Sequence, residues 1–260
     1  MGRKNTALDI TTDEVVSLLK RTSLPTIIVE GCDDMIVYRA IEEKLAHLGV
    51  SMLPVGGRGK VLDVFQRKSE IPNSVRVAFI ADKDLWVSIG IPAEFAADQL
   101  IFTEGYSIEN DIFLDGELWK ILKGSEPQKF ESELKEFIEW YALAINRTIN
   151  GCSESISLHP DHVLCPKQRP DLLKLKEGEE YPEALREKII DEYKMLVRGK
   201  SLISLLLRNV NYKGREPRHT DKALLESVAI RPGPLLQRIT SAVEAAISPS
   251  QPEQAAVQEV

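Results

Sequence analysis

Long apolar runs are missing from this chain. None of its 260 residues lies in a run near the roughly 20 residues of a membrane-spanning helix. The N-terminal stretch MGRKNTALD has no apolar core of the signal-peptide kind. A cytoplasmic protein with no membrane partner is the expectation. Cysteine is scarce as well: Cys32, Cys152 and Cys165 do not make a disulfide framework, which agrees with a reducing compartment. Positive charge is in deficit, and the formal net charge of −7 argues against binding nucleic acid through overall charge. It leaves open a local basic groove, or an acidic pocket that attracts phosphates once divalent metal fills it. The turn Gly56-Gly57-Arg58-Gly59-Lys60 lacks the GxxxxGK[ST] spacing of an ATP-binding loop. There is no internal repeat.

What is present is a composition, 43% hydrophobic and 28% charged, that can bury one substantial core or a core with a smaller appendage. Thr11 and Glu14 have capping-box spacing ahead of an opening helix with Val15, Val16, Leu18 and Leu19. The β-branched run 26–30 reads as a central strand. Asp33 or Asp34 can cap the following helix, which carries Val37, Ile41, Leu45 and Leu48 at helical spacing. Strands follow at 51–55, 75–81 and 100–103, with a helix opening after the glycine turn. This alternation predicts an α/β fold with a parallel sheet flanked by helices over residues 1–116. From 117 to 247 the pattern turns mostly helical. It includes a long amphipathic helix bearing Phe130, Leu134, Phe137, Ile138, Tyr141 and Ile145, and further helices around 183–198, 200–208 and 233–247. Residues 248–260, rich in Pro, Gln and Ala, are expected to be a disordered tail.

Acids gather at the predicted strand ends: Glu30 after the first, Asp82 and Asp84 after the third, Glu104 and Glu109 after the fourth. In a parallel sheet these ends share one edge, where ligands bind. Carboxylates collected there repel one another unless a cation joins them, and hard oxygen donors suit Mg²⁺ or Mn²⁺. Residues two apart on an extended segment point the same way, so Asp82 and Asp84 are expected to face one ion.

The segments VEGCDDMIVYRAI, VGGRGKV, VAFIADKDLW and YSIENDIF together resemble the TOPRIM domain of topoisomerases, primases and OLD-family nucleases. The likeness covers residues 26 to about 114. It implies a Mg²⁺-dependent endonuclease in which Glu30, Asp82 and Asp84 are catalytic and, with Glu109, hold the metal. Glu30, where it is not itself a ligand, is the natural general acid or base. The helical remainder resembles TOPRIM effector nucleases of the PARIS anti-phage defence system. That implies a toxic effector cutting tRNA, other RNA or DNA, restrained by an ABC/SMC-like ATPase, with homodimerisation on release. A non-enzymatic TOPRIM-like module that docks an ATPase or senses a nucleotide is the alternative, and a primase-like nucleotidyl transferase is a third.

Other signals stay open. Lys60 can contact phosphate as a point charge beside the glycine turn. Arg208, Lys213, Arg215, Arg218 and His219, with Tyr212 among them, form a basic run; Arg215 and Arg218 are its expected nucleic-acid contacts. Cys152, His159, His162 and Cys165 could hold zinc, but their spacing matches no common structural pattern.

Overall fold

A computed structural model describes residues 10–31 and 34–248. Asp33 as a cap and the tail beyond Ser248 lie outside the described residues. Four strands, β1 (Thr26–Val29), β2 (Ser51–Pro54), β3 (Val77–Ala81) and β4 (Leu100–Phe102), form one all-parallel sheet in the order β2-β1-β3-β4. The strand-helix-strand alternation of the sequence is thus realised, with strand ends trimmed by one or two residues. Ahead of the sheet comes α1 (Thr12–Leu19); between the strands run α2 (Met35–Lys44), α3 (Arg58–Gln66) and the one-turn α4 (Trp86–Ile89), and α5 (Ile108–Asp115) follows β4. The capping box forms: Glu14 N–H donates to Thr11 Oγ1 at 3.2 Å, and Thr11 N–H to the Glu14 carboxylate at 2.8 Å.

Side-chain alternation sorts the strand residues onto two faces. Ile28, Phe79, Ala81, Leu100 and Phe102 pack with Val15, Val16 and Leu19 of α1 and with Val61, Val64 and Phe65 of α3. Ile27, Val29, Ala78, Ile80 and Ile101 point the other way, to α2 and to the helices that come later in the chain. Both faces are covered, which is why the strands read as continuous apolar runs.

Those later helices are α6 (Glu126–Ile149), the one-turn α7 (Pro160–Val163) and α8 (Arg169–Leu172), α9 (Glu183–Asp191), the one-turn α10 (Tyr193–Leu196), α11 (Gly199–Val210), α12 (Asp221–Ile230) and α13 (Pro234–Ile247). The expected single helix at 183–198 is broken at Glu192. The helix α12 escaped the sequence reading although its signals are ordinary. Thr220 Oγ1 accepts from Ala223 N–H at 3.2 Å, and Leu224, Leu225 and Val228 recur at helical spacing. No helix among the described residues is long and apolar enough to cross a membrane.

One apolar core runs from Ile27 in β1 to Ile247 in α13. The change of pattern at 117 is therefore a change of element type within a shared core. The junction is also polar. Tyr106 N–H donates to Met195 O at 2.8 Å, and Asn110 Nδ2 donates to Lys194 O and Val197 O, each at 2.8 Å. Because α10 ends at Leu196, the carbonyls of Lys194 and Val197 are left for Asn110. Asp115 accepts from Leu235 and Leu236 N–H at 3.0 and 2.9 Å and caps α13.

The basic run needs a correction. Arg215 is buried, and all five of its donors are spent. Nε and Nη2 donate to the Glu126 carboxylate, Nη2 also to Ile121 O, and Nη1 to Glu216 O and Pro217 O. Tyr212, the aromatic of this run, donates its hydroxyl to Glu126 at 3.0 Å. These two groups tie the 212–217 loop to the start of α6, which is a structural task. Arg218 stays exposed.

Where α11 begins, Gly199 lies so close to the 107–110 loop that an added Cβ would sit 2.4 Å from Ser107 Oγ and 2.7 Å from Asn110 Oδ1. Gly199→Ala forces these segments apart. It is expected to lower unfolding stability by about 1–3 kcal/mol, as overpacking does. Urea denaturation reads this directly, and an unchanged midpoint would show that the junction yields freely.

A candidate acidic site at the carboxyl edge of the sheet

Glu30 is the first residue past β1, and its main chain is gripped from the glycine turn. Gly56 and Gly57 N–H both donate to Glu30 O at 2.6 Å. The two glycines adopt φ of 94° and 132°, conformations that disfavour a side chain, and the turn sets the start of α3 beside Glu30. On the side-chain end, Glu30 Oε1 accepts from Asp82 N–H at 2.7 Å. Asp82 Oδ1 accepts in turn from Ile108 N–H at 3.0 Å, at the first turn of α5. Asp84 N–H donates to Tyr106 O at 2.8 Å. Glu109, only 4% exposed, accepts from Ser107 Oγ at 2.5 Å. Asp34, buried at the start of α2, belongs to the same group by charge.

Sharing one edge has electrostatic consequences. Burial first, then the charges of Asp84 and Asp34, lift Glu30 from its ordinary 4.5 to about 7, against the Asp82 N–H bond and the nearby Arg58 charge. Burial and then Glu30, Glu109, Asp34 and Asp84 push Asp82 well above the usual carboxylate range. Asp84 is raised by burial, with Arg58 and Arg198 pulling the other way. Tyr38 beneath these acids is held well above its usual value by its own burial and by Asp82 and its neighbours. Tyr106 is raised by burial and by Asp84.

The extended backbone on which the Asp82–Asp84 expectation rested is not present. The strand ends at Ala81, and Asp84 takes a left-handed φ of 48°, tolerated by Asp more readily than by most residues. Asp84 Oδ2 then lies 3.6 Å from Arg58 Nη1. Among the described residues no three His, Cys, Asp or Glu side chains are gathered closely enough to hold a metal ion as they stand. The donor chemistry nonetheless suits a hard divalent cation. Glu30 and Asp82 each commit one oxygen to a backbone N–H and keep the second, a hard oxygen donor of the kind such an ion takes. Closing Glu30, Asp82 and Asp84 onto one ion would take a side-chain adjustment.

The other expected residues sort plainly. Glu104 is drawn aside by Lys83 Nζ, 3.6 Å from its carboxylate, and by Arg238 at 3.9 Å. Lys60 Nζ donates to Ile10 O at 2.8 Å, toward the segment that leads into α1. His159 Nδ1 accepts from Asp161 N–H, and His162 Nδ1 pairs with Gln168, so these two rings are engaged within their own loop and not with the two cysteines. Sequence reasoning passed over Asp34 as a site acid, and also Tyr38, Arg58 and Arg198. It also missed Asp111, which accepts from Glu104 and Gly105 N–H and shapes the loop after β4; burial lifts it to about 6. A cavity of about 340 Å³ opens beside Asp34 and Glu109, walled by Ile36, Ile203 and Leu225. No protein-family model matches the sequence, and a search of curated proteins finds no match.

The raised Glu30 makes stability depend on pH. The folded chain keeps this proton up to about pH 7, whereas the unfolded chain releases it near 4.5. Between those values the folded state binds more protons, so stability falls as pH rises through the window and levels off above it. The full effect is on the order of 3 kcal/mol, and Asp82 acts in the same direction. In chelator, the melting temperature is expected to be lower at about pH 8 than at about pH 5, with Glu30→Gln removing much of the decline. A decline of equal size in Glu30→Gln would place its origin elsewhere.

Proposed function

We propose that this protein is a Mg²⁺- or Mn²⁺-dependent nuclease of the TOPRIM type, with Glu30, Asp82, Asp84 and Glu109 as its acids. The observation that carries this reading is the interlocked placement of Glu30 and Asp82, each held by a main-chain bond from the next element at the sheet's carboxyl edge. A divalent cation bound there would lower the pKa of an attacking water and neutralise charge on the leaving oxygen. Glu30, fixed by Asp82 N–H at this edge, is placed for proton transfer where it is not itself a ligand. Hydrolysis is preferred to a tyrosine-linked intermediate, because Tyr38 and Tyr106, the tyrosines at the site, are both held in the protonated, poorly nucleophilic form.

The substrate class in this proposal is nucleic acid, tRNA or other RNA as readily as DNA. Arg218 remains a proposed phosphate contact on the exposed part of the basic run, and Lys60 one that would have to leave Ile10. The resemblance to defence effectors adds restraint by an ABC/SMC-like ATPase, cytoplasmic action and a homodimer on release. A non-enzymatic module that docks an ATPase or senses a nucleotide is favoured by one observation, that the acids are not gathered for a metal as they stand.

Glu30→Gln and Asp82→Asn keep an acceptor for the Asp82 and Ile108 N–H groups while removing charge. Each is expected to stay folded and to lose about a hundredfold or more in the rate of plasmid nicking or tRNA cleavage with Mg²⁺ or Mn²⁺. Chelator should abolish the wild-type reaction. Full activity of Glu30→Gln at limiting metal would sink the catalytic assignment, and no cleavage of either substrate by wild type would favour the binding module.

A further inference from the structure

Arg58 is the first residue of α3, directly after Gly57, and it enters the acidic site from the glycine turn. Its guanidinium carbon lies 3.7 Å from the centroid of the Trp86 ring. Trp86 is itself wedged between Phe95 and Phe102, with ring centroids at 5.1 and 5.7 Å, so the platform is fixed. Nη1 faces Asp84 Oδ2 at 3.6 Å, a charge contact too long for a good hydrogen bond. The remaining edge is the informative one: Nε and Nη2 have no hydrogen-bond partner among the described residues and are closed to water.

Buried donors on a charged group are costly to leave unmade, and native proteins keep few of them without a task. The Nε–Nη2 edge presents parallel N–H groups spaced for two oxygens of a carboxylate or phosphate. Neither neighbouring carboxylate bonds this edge: Glu30 Oε1 is on Asp82 N–H, and Asp84 meets the other end of the fork. A polyanion approaching these acids also needs cationic charge among them, and Arg58 is placed where both Glu30 and Asp84 feel it.

We propose that Arg58, stacked on Trp86, is the phosphate-binding residue of this site: an arriving phosphodiester displaces the groups that close off the Nε–Nη2 edge, takes both donors with two of its oxygens and is seated beside Glu30 and Asp84. The proposal rests on the nuclease reading for the identity of the phosphate-bearing chain. A lysine would supply the charge without the planar fork or the stack.

Trp86 supplies a readout independent of cleavage. The full chain in chelator is titrated with inorganic phosphate, and separately with a short single-stranded oligonucleotide, following tryptophan emission and oligonucleotide anisotropy. Wild type is expected to respond to both probes. Arg58→Lys and Arg58→Gln should lose the phosphate response and bind the oligonucleotide about tenfold or more weakly. Arg58→Gln should also reduce the salt slope by about one unit. Arg58→Gln keeps a planar group over Trp86, and thermal melts of both variants establish that they are folded. Trp86→Phe should abolish the emission change while largely retaining oligonucleotide binding. Restoration of both responses by Arg58→Lys, or wild-type binding by Arg58→Gln, would overturn the proposal and leave Arg58 as a counter-charge for the acids. The two readings fail separately. An Arg58-dependent phosphate response in a protein that cuts nothing would support the anion site without the nuclease. Undiminished cleavage and binding in Arg58→Gln would remove the anion site and leave the nuclease.

Discussion

The carboxyl edge of the sheet is governed by hydrogen bonds in which acids accept from the main chain of the element beside them. Asp82 N–H reaches Glu30, and Ile108 N–H reaches Asp82. These two bonds connect the ends of β1 and β3 and the start of α5, three segments far apart in sequence. A carboxylate accepting an N–H bond is stabilised in its charged form, and here that gain works against burial and the repulsion of neighbours. The outcome is set by magnitude: for Glu30 burial and repulsion win, lifting it to about 7 despite the bond and despite Arg58. The bond therefore fixes where the carboxylate is more than whether it is ionised.

The helical region is built into this edge. Asn110 spends both amide protons on the carbonyls of Lys194 and Val197, and Gly199 lets α11 approach Glu109 without a Cβ between them. Arg198, next to that glycine, brings a positive charge that Asp84 and Tyr106 both feel. The same helices cover one face of the sheet, where α13 places Leu236, Ile239, Val243 and Ile247 in the core. Packing and site geometry thus depend on the same segment, and a change at 194–199 acts on both.

How much of this could be read in advance follows from the range of the interactions. The strands were legible because a covered parallel sheet needs continuous apolar runs, and Glu30 and Asp82 were legible as acids that end such runs. The opening helix was legible because a capping box is local. Arg58 was hidden because its partner Trp86 is 28 positions away, and only the folded turn brings the two together. The turn at Asp84 was not legible because a left-handed residue after a strand leaves no periodic trace. Arg215 misled for a related reason: a cation among cations looks like surface until Glu126, 89 positions earlier, is seen to claim it. Local chemistry is written in spacing, whereas a pairing across the fold is written only in the coordinates.

An edge of this kind is a standing cost to the folded state. Burying Glu30 and Asp82 among other acids disfavours their charged forms, Asp84 holds a backbone conformation with a modest strain, and Arg58 keeps two donors unbonded. These costs fall on the edge and not on the apolar faces that pack the sheet. They lie together at one end of the strands, where β1 and β3 are already fixed by two apolar faces that do not involve the acids. The cores therefore carry the stability, and the edge carries the charges: Arg58 stands beside Asp84, and Glu30 and Asp82 are held in place by main-chain bonds and not by packing. What the edge tolerates in repulsion and strain is set by the apolar contacts on either side of β1 and β3, which stay the same whether the acids are charged or neutral.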